Sequence, residues 1–386
     1  MKLYDQICDI NKIEKIYYNI KLKTKHKKKN LNFEMYYMSN VMYLYHVLKE
    51  RKYKHNYYHI FLVKEPKYRI IMSESIFDKI VNHLISEEIL LPLIEPKLLD
   101  INVATRREKG TKSGLNYVKK YINAMRKQYK NNFYILKCDI SKYFYNIDHD
   151  ILLSKLEKFI TDKEIINIIK DILKTATDPA TSQKIWKIIN DELERLAKCT
   201  FDTTYKVNTL KNLPIYDKPK KGLPIGNMTS QIFAIFYLND LDHYIKEQLH
   251  IKYYIRYMDD FILFHKSKKY LEYCYRKINE YVKKEKLSLN SKTKIFPMKE
   301  GLNFLGYRFI IKNNHLIILI NPKTKKRIVR KINRIKNNKN YNQVLASYYG
   351  FFLGSNVKSL VNKYYKEHTF KKIHHIKNRI WYNEWD

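Results

Sequence analysis

Cysteines are few in this chain, and they stand far apart. Cys8, Cys138, Cys199 and Cys274 have no paired spacing, which argues against a zinc site and for a reducing interior. Residues 1–5 lack the apolar core of a signal peptide. No apolar run approaches the roughly 20 residues that a membrane-spanning helix needs. We therefore expect a soluble cytoplasmic protein without a membrane partner.

Acidic residues are scarce relative to basic ones. The 386 residues include 38 Asp and Glu against 75 Lys and Arg, a formal net charge of +37. A field of that sign favours a polyanionic partner, with an affinity that falls as salt rises. The 35 Tyr and 17 Phe offer many faces for base stacking, although most such rings belong to cores. An AT-rich coding sequence would also enrich Lys, Asn, Ile and Tyr, but charge and aromatic content together indicate a nucleic-acid-binding protein.

Glycine is also scarce, with eight residues in the whole chain. Gly222 and Gly226 fall together in residues 222–231, which open a long apolar helix that Thr229 or Ser230 can cap. Glycine permits close backbone approach to a ligand, and a helix N-terminus suits a phosphate or a sugar. The alternative is an ordinary loop-to-helix junction.

Two adjacent acids, Asp259 and Asp260, lie between apolar and aromatic runs in residues 254–264. This pattern predicts a strand–turn–strand hairpin with Met258 near its tip. Burial of two carboxylates between such runs costs free energy unless a partner such as a divalent cation is present. An exposed Asp-Asp turn is the alternative interpretation.

A third acid, Asp139, ends an apolar run at residues 133–140 that predicts a buried strand. Taken alone, it could cap a turn. Taken with Asp259 and Asp260, it predicts three carboxylates that converge at one sheet edge. Such a set can hold two Mg²⁺ ions, which prefer oxygen ligands, and two ions suit an in-line nucleotidyl transfer.

Basic residues cluster at two further places. Two β-rich runs flank a Pro-containing turn at residues 61–71, which predicts a hairpin displaying Lys64, Lys67 and Arg69. Arg106 and Arg107 lie in a loop closed by a glycine before a helix, a plausible phosphate site or a mere charged turn.

The chain as a whole predicts three regions: an N-terminal extension (1–60), a central region (61–310) with an insertion at about 176–220, and a basic helical region (311–386). The last region would suit the backbone of a nucleic-acid duplex, with a solvated charged surface as the alternative.

Four motifs in this order resemble those of reverse transcriptases. They are Lys-Cys-Asp-Ile-Ser-Lys-Tyr-Phe at 137–144, Gly-Leu-Pro-Ile-Gly-Asn-Met-Thr-Ser-Gln at 222–231, Arg-Tyr-Met-Asp-Asp-Phe at 256–261 and Phe-Leu-Gly-Tyr at 304–307. The hairpin at 64–71 and the loop at 105–111 look like the fingers motifs of the same family. The resemblance implies an α+β fold, a right-hand polymerase with fingers, an antiparallel-sheet palm and a helical thumb. It is closest in look to bacterial or phage-encoded enzymes of the group II intron-like lineage, especially those of diversity-generating retroelements.

The resemblance also implies roles for individual residues. The metal-binding positions are Asp139, Asp259 and Asp260, the catalytic triad, with the carbonyl of Ile140. Positions matching nucleotide contacts are Lys67, Arg69, Phe144, Ile225, Gly226, Ser230, Gln231 and either Lys292 or Lys294. Phe144 matches the aromatic gate that excludes the ribose 2′-hydroxyl. Positions facing primer and template are Arg106, Arg107, Tyr257, Met258, Gly306 and Tyr307.

The implied cofactors are two Mg²⁺ ions, with Mn²⁺ as a substitute. The implied partners are an RNA template, a DNA product or primer and deoxynucleoside triphosphates; a structured noncoding RNA and a small basic accessory protein are further candidates. The gate residue Phe144 disfavours an RNA-synthesising viral polymerase. The three acids disfavour a nucleic-acid-binding scaffold with an inactive palm.

One motif departs from the family pattern. Most members read Gln-Gly-x-x-x-Ser-Pro, whereas this chain has Ile225 and Gln231 at the outer positions. The variant is similar to that of diversity-generating enzymes, in which it accompanies error-prone copying of template adenines. It also occurs among bacterial reverse transcriptases of unassigned and antiphage-defence groups, so a defence enzyme with protein-primed or untemplated synthesis is the alternative. Both biological roles therefore stay open.

Overall fold

The structure, a computed structural model, describes residues 2–23, 28–336 and 341–365. Contacts divide the chain into two compact units, each built from three separated stretches. The first unit comprises residues 1–100, 140–244 and 278–290, and the second comprises residues 101–139, 245–277 and 291–386. Segments that are distant in sequence therefore meet within one unit.

Helices supply most of the regular structure. Short 3₁₀ segments (Leu3–Ile7, Glu95–Lys97, Met298–Glu300) and π-helical segments (Ile85–Leu90, Tyr244–Gln248) accompany them. The α-helices, in chain order, are α1 (Ile10–Lys23), α2 (Lys28–Met35), α3 (Tyr37–Lys49), α4 (Ile76–Leu84), α5 (Leu91–Ile94), α6 (Thr111–Tyr129), α7 (Tyr143–Asn146), α8 (His149–Leu156), α9 (Lys163–Ala176), α10 (Pro179–Ala197), α11 (Thr204–Lys211), α12 (Met228–Tyr237), α13 (Asn239–His243), α14 (Lys268–Lys284), α15 (Pro322–Arg334), α16 (Tyr341–Leu353) and α17 (Lys358–Tyr364).

The strands form three antiparallel sheets in the described part of the chain, ordered β1-β2, β4-β5-β3-β6 and β7-β8-β9. They are β1 (His59–Val63), β2 (Arg69–Ser73), β3 (Tyr134–Asp139), β4 (Tyr253–Tyr257), β5 (Asp260–His265), β6 (Lys294–Pro297), β7 (Leu302–Phe304), β8 (Tyr307–Lys312) and β9 (His315–Ile320).

The second unit contains the four-stranded sheet and packs it on one face against α6. Side chains alternate across a strand, so one face carries Ile135, Ile262, Phe264 and Phe296, all buried in the same apolar cluster. Helix α6 packs against β4, β5 and β9. The sheet that carries Asp139 and Asp260 is therefore anchored by a continuous core.

The first unit contains the β1-β2 hairpin, which packs against α10. Ile60, Ile70 and Met72 from the hairpin share an apolar cluster with Ile185 and Ile189 from the helix. Helix α10 lies inside the stretch interpreted as an insertion, so this stretch supplies part of the core under the hairpin.

Local sequence signals explain some helix starts and fail at one. Ser75 accepts a hydrogen bond from the backbone N–H of Asp78 and caps α4. The prediction that Thr229 or Ser230 caps α12 is wrong. The N-cap position belongs to Asn227, and both hydroxyl residues are buried within the helix. Thr229 instead donates to Asn82 Oδ1, 2.6 Å away.

The C-terminal region differs from its prediction at its start. Strand β9 (His315–Ile320) completes a three-stranded sheet before the helices begin at Pro322. Two stretches of the predicted region, 337–340 and 366–386, lie outside the described part of the chain. Within the described ranges, no helix combines the length and apolar character that crossing a membrane requires.

Candidate active site

Asp139 and Asp260 face each other across neighbouring strands of the second unit. They are register partners between β3 and β5, and Tyr257 pairs with Asp260 to close the β4-β5 hairpin. Partners in an antiparallel pair point to the same face with Cβ atoms about 5 Å apart. Asp259 lies in the two-residue turn between Tyr257 and Asp260. The predicted hairpin is thus confirmed, and the three acids meet at one end of one sheet.

The face that carries these acids also carries Lys137 and a set of apolar side chains. Ile135 and Lys137 precede Asp139 on the same face, and Ile262 and Phe264 follow Asp260. The acids therefore stand at the edge of a hydrophobic surface, where water screens their charges less than in bulk solution.

Lys137 supplies the positive charge that this edge needs. Its Nζ lies 3.1 Å from Asp260 Oδ2 and donates to the carbonyl oxygen of Asn303 at 2.9 Å. The ammonium also lies 5.8 Å from the centre of the Phe304 ring. Lys137 thereby connects the acidic hairpin to strand β7.

The surroundings of Asp260 disfavour the ionised form of its carboxyl group. Burial raises the pKa of Asp260 to about 6; the ammonium of Lys137 acts in the opposite direction, and the neighbouring Asp139 and Asp259 raise it further. Its Oδ1 atom is buried without a hydrogen-bond partner. A divalent cation at this edge would give the Oδ1 atom of Asp260 a partner and would favour the ionised form of the carboxyl group.

The donor set suits a hard divalent cation. In the described part of the chain, no three His, Cys, Asp or Glu side chains are arranged to hold a metal ion as they stand. The unpartnered Oδ1 of Asp260 and the mutual repulsion of the acids nevertheless fit such an ion, because carboxylate oxygens are the ligands that Mg²⁺ and Mn²⁺ prefer.

A buried arginine, which the sequence reasoning missed, supports the turn. Arg256 is fully buried, and its guanidinium donates to the carbonyl oxygen of Met258 at 3.0 Å. Met258 has φ = 57°, a left-handed conformation that is costly for a side chain of this kind. The signal available in the sequence was a single Arg within an otherwise apolar strand.

The two lysines predicted to contact the pyrophosphate leaving group lie at or just before the start of β6, an edge strand of the same sheet. Lys294 is the register partner of Lys137 and lies 4.9 Å from the centre of the Phe296 ring. Lys292 is exposed in the preceding turn, next to Thr293, whose hydroxyl accepts from the backbone N–H of Asp139 at 3.4 Å.

The other residues predicted to contact primer and template are also in the second unit. Arg107 is exposed, and Arg106 donates to the carbonyl oxygen of Asn102 at 3.3 Å. Gly306 has φ = 84° in the turn between β7 and β8. Tyr307 is buried and stacks on Phe351 with ring centres 5.5 Å apart, so its ring serves packing.

The predicted nucleotide-contacting residues from the fingers motif lie in the first unit. Lys67 is in the connection between β1 and β2, and Arg69 is exposed at the start of β2. Lys64 is exposed with them, as predicted, and it also pairs with Glu192 of α10 at 2.5 Å. The β1-β2 hairpin is therefore fixed to α10 through an ion pair as well as through its core.

A backbone hydrogen bond joins Phe144 to residues 222–231, the glycine motif, also within the first unit. The N–H of Leu223 donates to the carbonyl oxygen of Phe144 at 2.6 Å. Phe144 lies in the short helix α7 and is half-buried. Ile140, whose carbonyl was predicted as a metal ligand, pairs with Leu289 in an isolated antiparallel bridge.

The glycine motif is close-packed against strand β2. A Cβ atom on Gly226 would lie 2.2 Å from the carbonyl oxygen of Met72, and the residue has φ = 145°, so only glycine fits. Ile225 is half-buried and Ser230 is buried, whereas Gln231 is exposed. The glycine predicted here for close approach to a ligand instead permits close approach to strand β2.

The comparison with known families decides the assignment. The sequence profile of the family described as reverse transcriptase (RNA-dependent DNA polymerase) matches residues 54–309, about two thirds of the chain. The chain belongs to the reverse transcriptase family. The predicted fold class, α+β, is confirmed, because helices and antiparallel sheets make up this reverse transcriptase fold.

Searches for relatives add structural likenesses at low identity. No curated protein sequence matches the chain. Telomerase from Candida albicans, in complex with a fragment of telomeric RNA, has 15% identity and a TM-score of 0.45 over 85% of this chain and 56% of that one. Telomerase from Candida tropicalis in a similar complex has 14% identity and a TM-score of 0.49 over 84% and 57%. The reverse transcriptase described here thus spans less than two thirds of these telomerase chains.

Proposed function

We propose that the chain is an RNA-directed DNA polymerase that makes cDNA from an RNA template by nucleotidyl transfer. The observation that carries this proposal is the pairing of Asp139 with Asp260 across β3 and β5, with Asp259 in the adjoining turn. Acids so placed at the end of a core-anchored sheet, in a member of this family, are suited to positioning divalent cations.

The acids and the basic residues around them have different roles in the proposed reaction. Asp139, Asp259 and Asp260, with the carbonyl of Ile140, would hold two Mg²⁺ ions, or Mn²⁺ in their place. When bound, such ions activate an attacking hydroxyl and neutralise charge on the phosphate oxygens. Lys137 keeps Asp260 oriented by its 3.1 Å contact. Either Lys292 or Lys294 supplies positive charge to the pyrophosphate.

Residues of the first unit select the incoming nucleotide. Lys67 and Arg69 bind the triphosphate through charge-assisted hydrogen bonds. Phe144 excludes the ribose 2′-hydroxyl by its bulk and so favours deoxynucleotides. The region of the nascent pair is lined by Ile225, Gly226, Ser230 and Gln231.

Primer and template bind through basic surfaces. Arg106 and Arg107 contact the template backbone, and the turns at Tyr257–Met258 and at Gly306–Tyr307 hold the primer end. Helix α15 buries Ile328 and Ile332 and carries a series of Lys and Arg residues on its remaining surface, which suits the phosphates of a duplex. In this assignment residues 1–60 form an extension, 61–310 the fingers and palm with the insertion at 176–220, and 311–386 the thumb.

Primer extension tests the proposal directly. The purified chain, supplied with an RNA template annealed to a DNA primer, deoxynucleoside triphosphates and Mg²⁺, should extend the primer and should stop when the cation is chelated. Absence of extension with either Mg²⁺ or Mn²⁺, on every template and primer combination, would reject it.

The biological role that Ile225 favours is diversification by error-prone synthesis within a group II intron-like lineage. An apolar side chain at this position removes a hydrogen-bonding group beside the nascent pair, so selection there depends more on shape. Sequencing of cDNA from a defined template should show errors concentrated at template adenines, and Ile225→Gln should reduce them. Uniformly low error at adenines would contradict this role. A stand-alone gene beside a structured noncoding RNA would instead favour antiphage defence.

A further inference from the structure

Tyr216 lies at the end of the insertion and reaches into the glycine motif. Its side chain is 1% exposed. The hydroxyl donates to the carbonyl oxygen of Leu223 at 2.9 Å and accepts from the backbone N–H of Ile225 at 3.2 Å. One side chain therefore joins two backbone groups on either side of Pro224.

The loop that Tyr216 holds is bonded to both nucleotide-selecting elements of the first unit. Leu223 donates its N–H to the carbonyl oxygen of Phe144 at 2.6 Å, and Gly222 donates to that of Ile147 at 2.9 Å. On the other side, Met72 of the fingers strand donates to the carbonyl oxygen of Ile225 at 2.9 Å. A shift of this loop would thus move the gate, the fingers strand or both.

The ring of Tyr216 also packs closely against its neighbours. It packs against Tyr145, the residue after the gate, with ring centres 4.8 Å apart. A Cβ atom on Gly222 would lie 2.9 Å from the ring, so the loop passes close to the aromatic face. Burial keeps the pKa of Tyr216 well above its usual value, so the hydroxyl retains the proton that it donates.

The insertion itself fixes Tyr216. Ser182, near the start of α10, donates its hydroxyl to the carbonyl oxygen of Tyr216 at 2.6 Å. Tyr216 also shares the apolar cluster of Ile185 and Ile189 from α10 and of Met72 from the fingers. The insertion is therefore connected to the nucleotide-selecting loop through this one residue's backbone, ring and hydroxyl.

We propose that Tyr216 is a positioning residue for nucleotide selection, which holds residues 222–226 in the geometry that fixes Phe144 and Gly226. This inference rests on the proposed polymerase activity and extends it, because it assigns the insertion a part in substrate specificity. Tyr216 acts through the loop and does not contact the nucleotide.

Tyr216→Phe is the informative variant, since it keeps the ring and removes the hydroxyl. The carbonyl oxygen of Leu223 and the N–H of Ile225 then lose their shared partner in a buried setting. We expect the KM for deoxynucleotides to rise and the preference for deoxy- over ribonucleotides to fall roughly tenfold, with kcat changed by less than about threefold. Tyr205→Phe is the matched control, since Tyr205 is exposed in the same insertion, and it should match the wild type.

Single-nucleotide incorporation on an RNA template, measured with both sugar types, decides between the outcomes. A wild type that extends the primer while Tyr216→Phe shows the same KM and sugar preference overturns this inference alone. A drop in melting temperature with unchanged selectivity would mean a purely structural role and also overturns it. A wild type that extends no primer rejects the polymerase proposal and this inference with it.

A second variant covers the case in which Tyr216→Phe fails to fold. Ser182→Ala removes the hydrogen bond to the Tyr216 backbone and leaves the ring and hydroxyl in place. The same shift in sugar preference, smaller in size, is expected, and unchanged selectivity in a folded Ser182→Ala protein counts against the proposal.

Discussion

The guanidinium of Arg256 is completely buried and donates a hydrogen bond to the carbonyl oxygen of Met258, 3.0 Å away. Met258 begins the turn that carries Asp259, and its left-handed backbone (φ = 57°) needs such support. The backbone of Arg256 is held in turn by Ile101 and Val103, each through a hydrogen bond of 3.1 Å. The acidic turn is therefore fixed from inside the protein.

Replacement of Arg256 by Met should loosen this turn. The carbonyl oxygen of Met258 would lose its donor, at a cost of about 2 kcal/mol in the free energy of unfolding. We expect a lower melting temperature and a larger loss of primer extension than the stability change alone explains. Arg276→Met, which alters an exposed residue of α14, is the control and should change neither. Full activity in a folded Arg256→Met protein would contradict a supporting role.

Lys137→Met should make the acidic edge more dependent on divalent cations. Without the ammonium, Asp260 loses the positive charge at 3.1 Å, and the repulsion among the acids is no longer offset. We expect a lower melting temperature in chelator and a larger rise on addition of Mg²⁺ than in the wild type, by thermal denaturation. Lys252→Met, at an exposed position beside β4, should respond to Mg²⁺ as the wild type does. Equal Mg²⁺ responses in all three proteins would refute the electrostatic account of Lys137.

The carboxylate of Glu192, which pairs with Arg195 and Lys64, should contribute a pH-dependent part of the stability. Hydrogen bonds from Arg195, together with the ammonium of Lys64, lower the pKa of Glu192 from 4.5 to about 2 against the effect of burial. Because the folded-state pKa is the lower one, the stabilisation is complete above about 4.5 and is lost as the pH falls towards about 2. The stability difference between wild type and Glu192→Gln should therefore shrink between about pH 5 and pH 3 in denaturant titrations. A difference that stays constant over this interval would contradict the assignment.

Phe144→Ala should relax the choice of sugar. Removal of the ring opens space where a ribose 2′-hydroxyl would lie, so ribonucleotide incorporation should rise by roughly ten- to a hundredfold relative to deoxynucleotides. Competition assays with both nucleotide types measure this ratio. Phe201→Ala, which removes an exposed ring from the same unit, should leave the ratio unchanged. An unaltered ratio in an active Phe144→Ala protein would remove Phe144 from the gate role.

The convergence of the three acids could be predicted from the sequence, because each acid adjoins an apolar run that predicts a strand. Asp139 ended one such run, and Asp259 and Asp260 divided another, so their convergence followed from strand pairing. Arg256 and Tyr216 could not be found in this way. Their roles depend on backbone carbonyls of Met258 and Leu223, and a carbonyl has no residue signature in the sequence.

One expectation failed because a tertiary partner outweighed a local signal. Thr229 has a hydroxyl side chain suited to capping, but that hydroxyl donates to Asn82 Oδ1 of α4. The acceptor lies on an element that is remote in sequence, so the residues around Thr229 could not reveal it. The partner of the exposed Lys64 is likewise remote, because Glu192 of α10 lies 128 residues away.

The acids at the β3 and β5 strand ends are tested most directly by primer extension with Asp259→Asn and Asp260→Asn proteins, each compared with the exposed Asp202→Asn. We predict that the first two lose activity by roughly a thousandfold or more, about 4 kcal/mol of transition-state stabilisation, while their melting temperatures do not fall. Asp202→Asn should extend primers like the wild type. Folded Asp259→Asn and Asp260→Asn proteins that retain activity within about tenfold of the wild type would contradict the account.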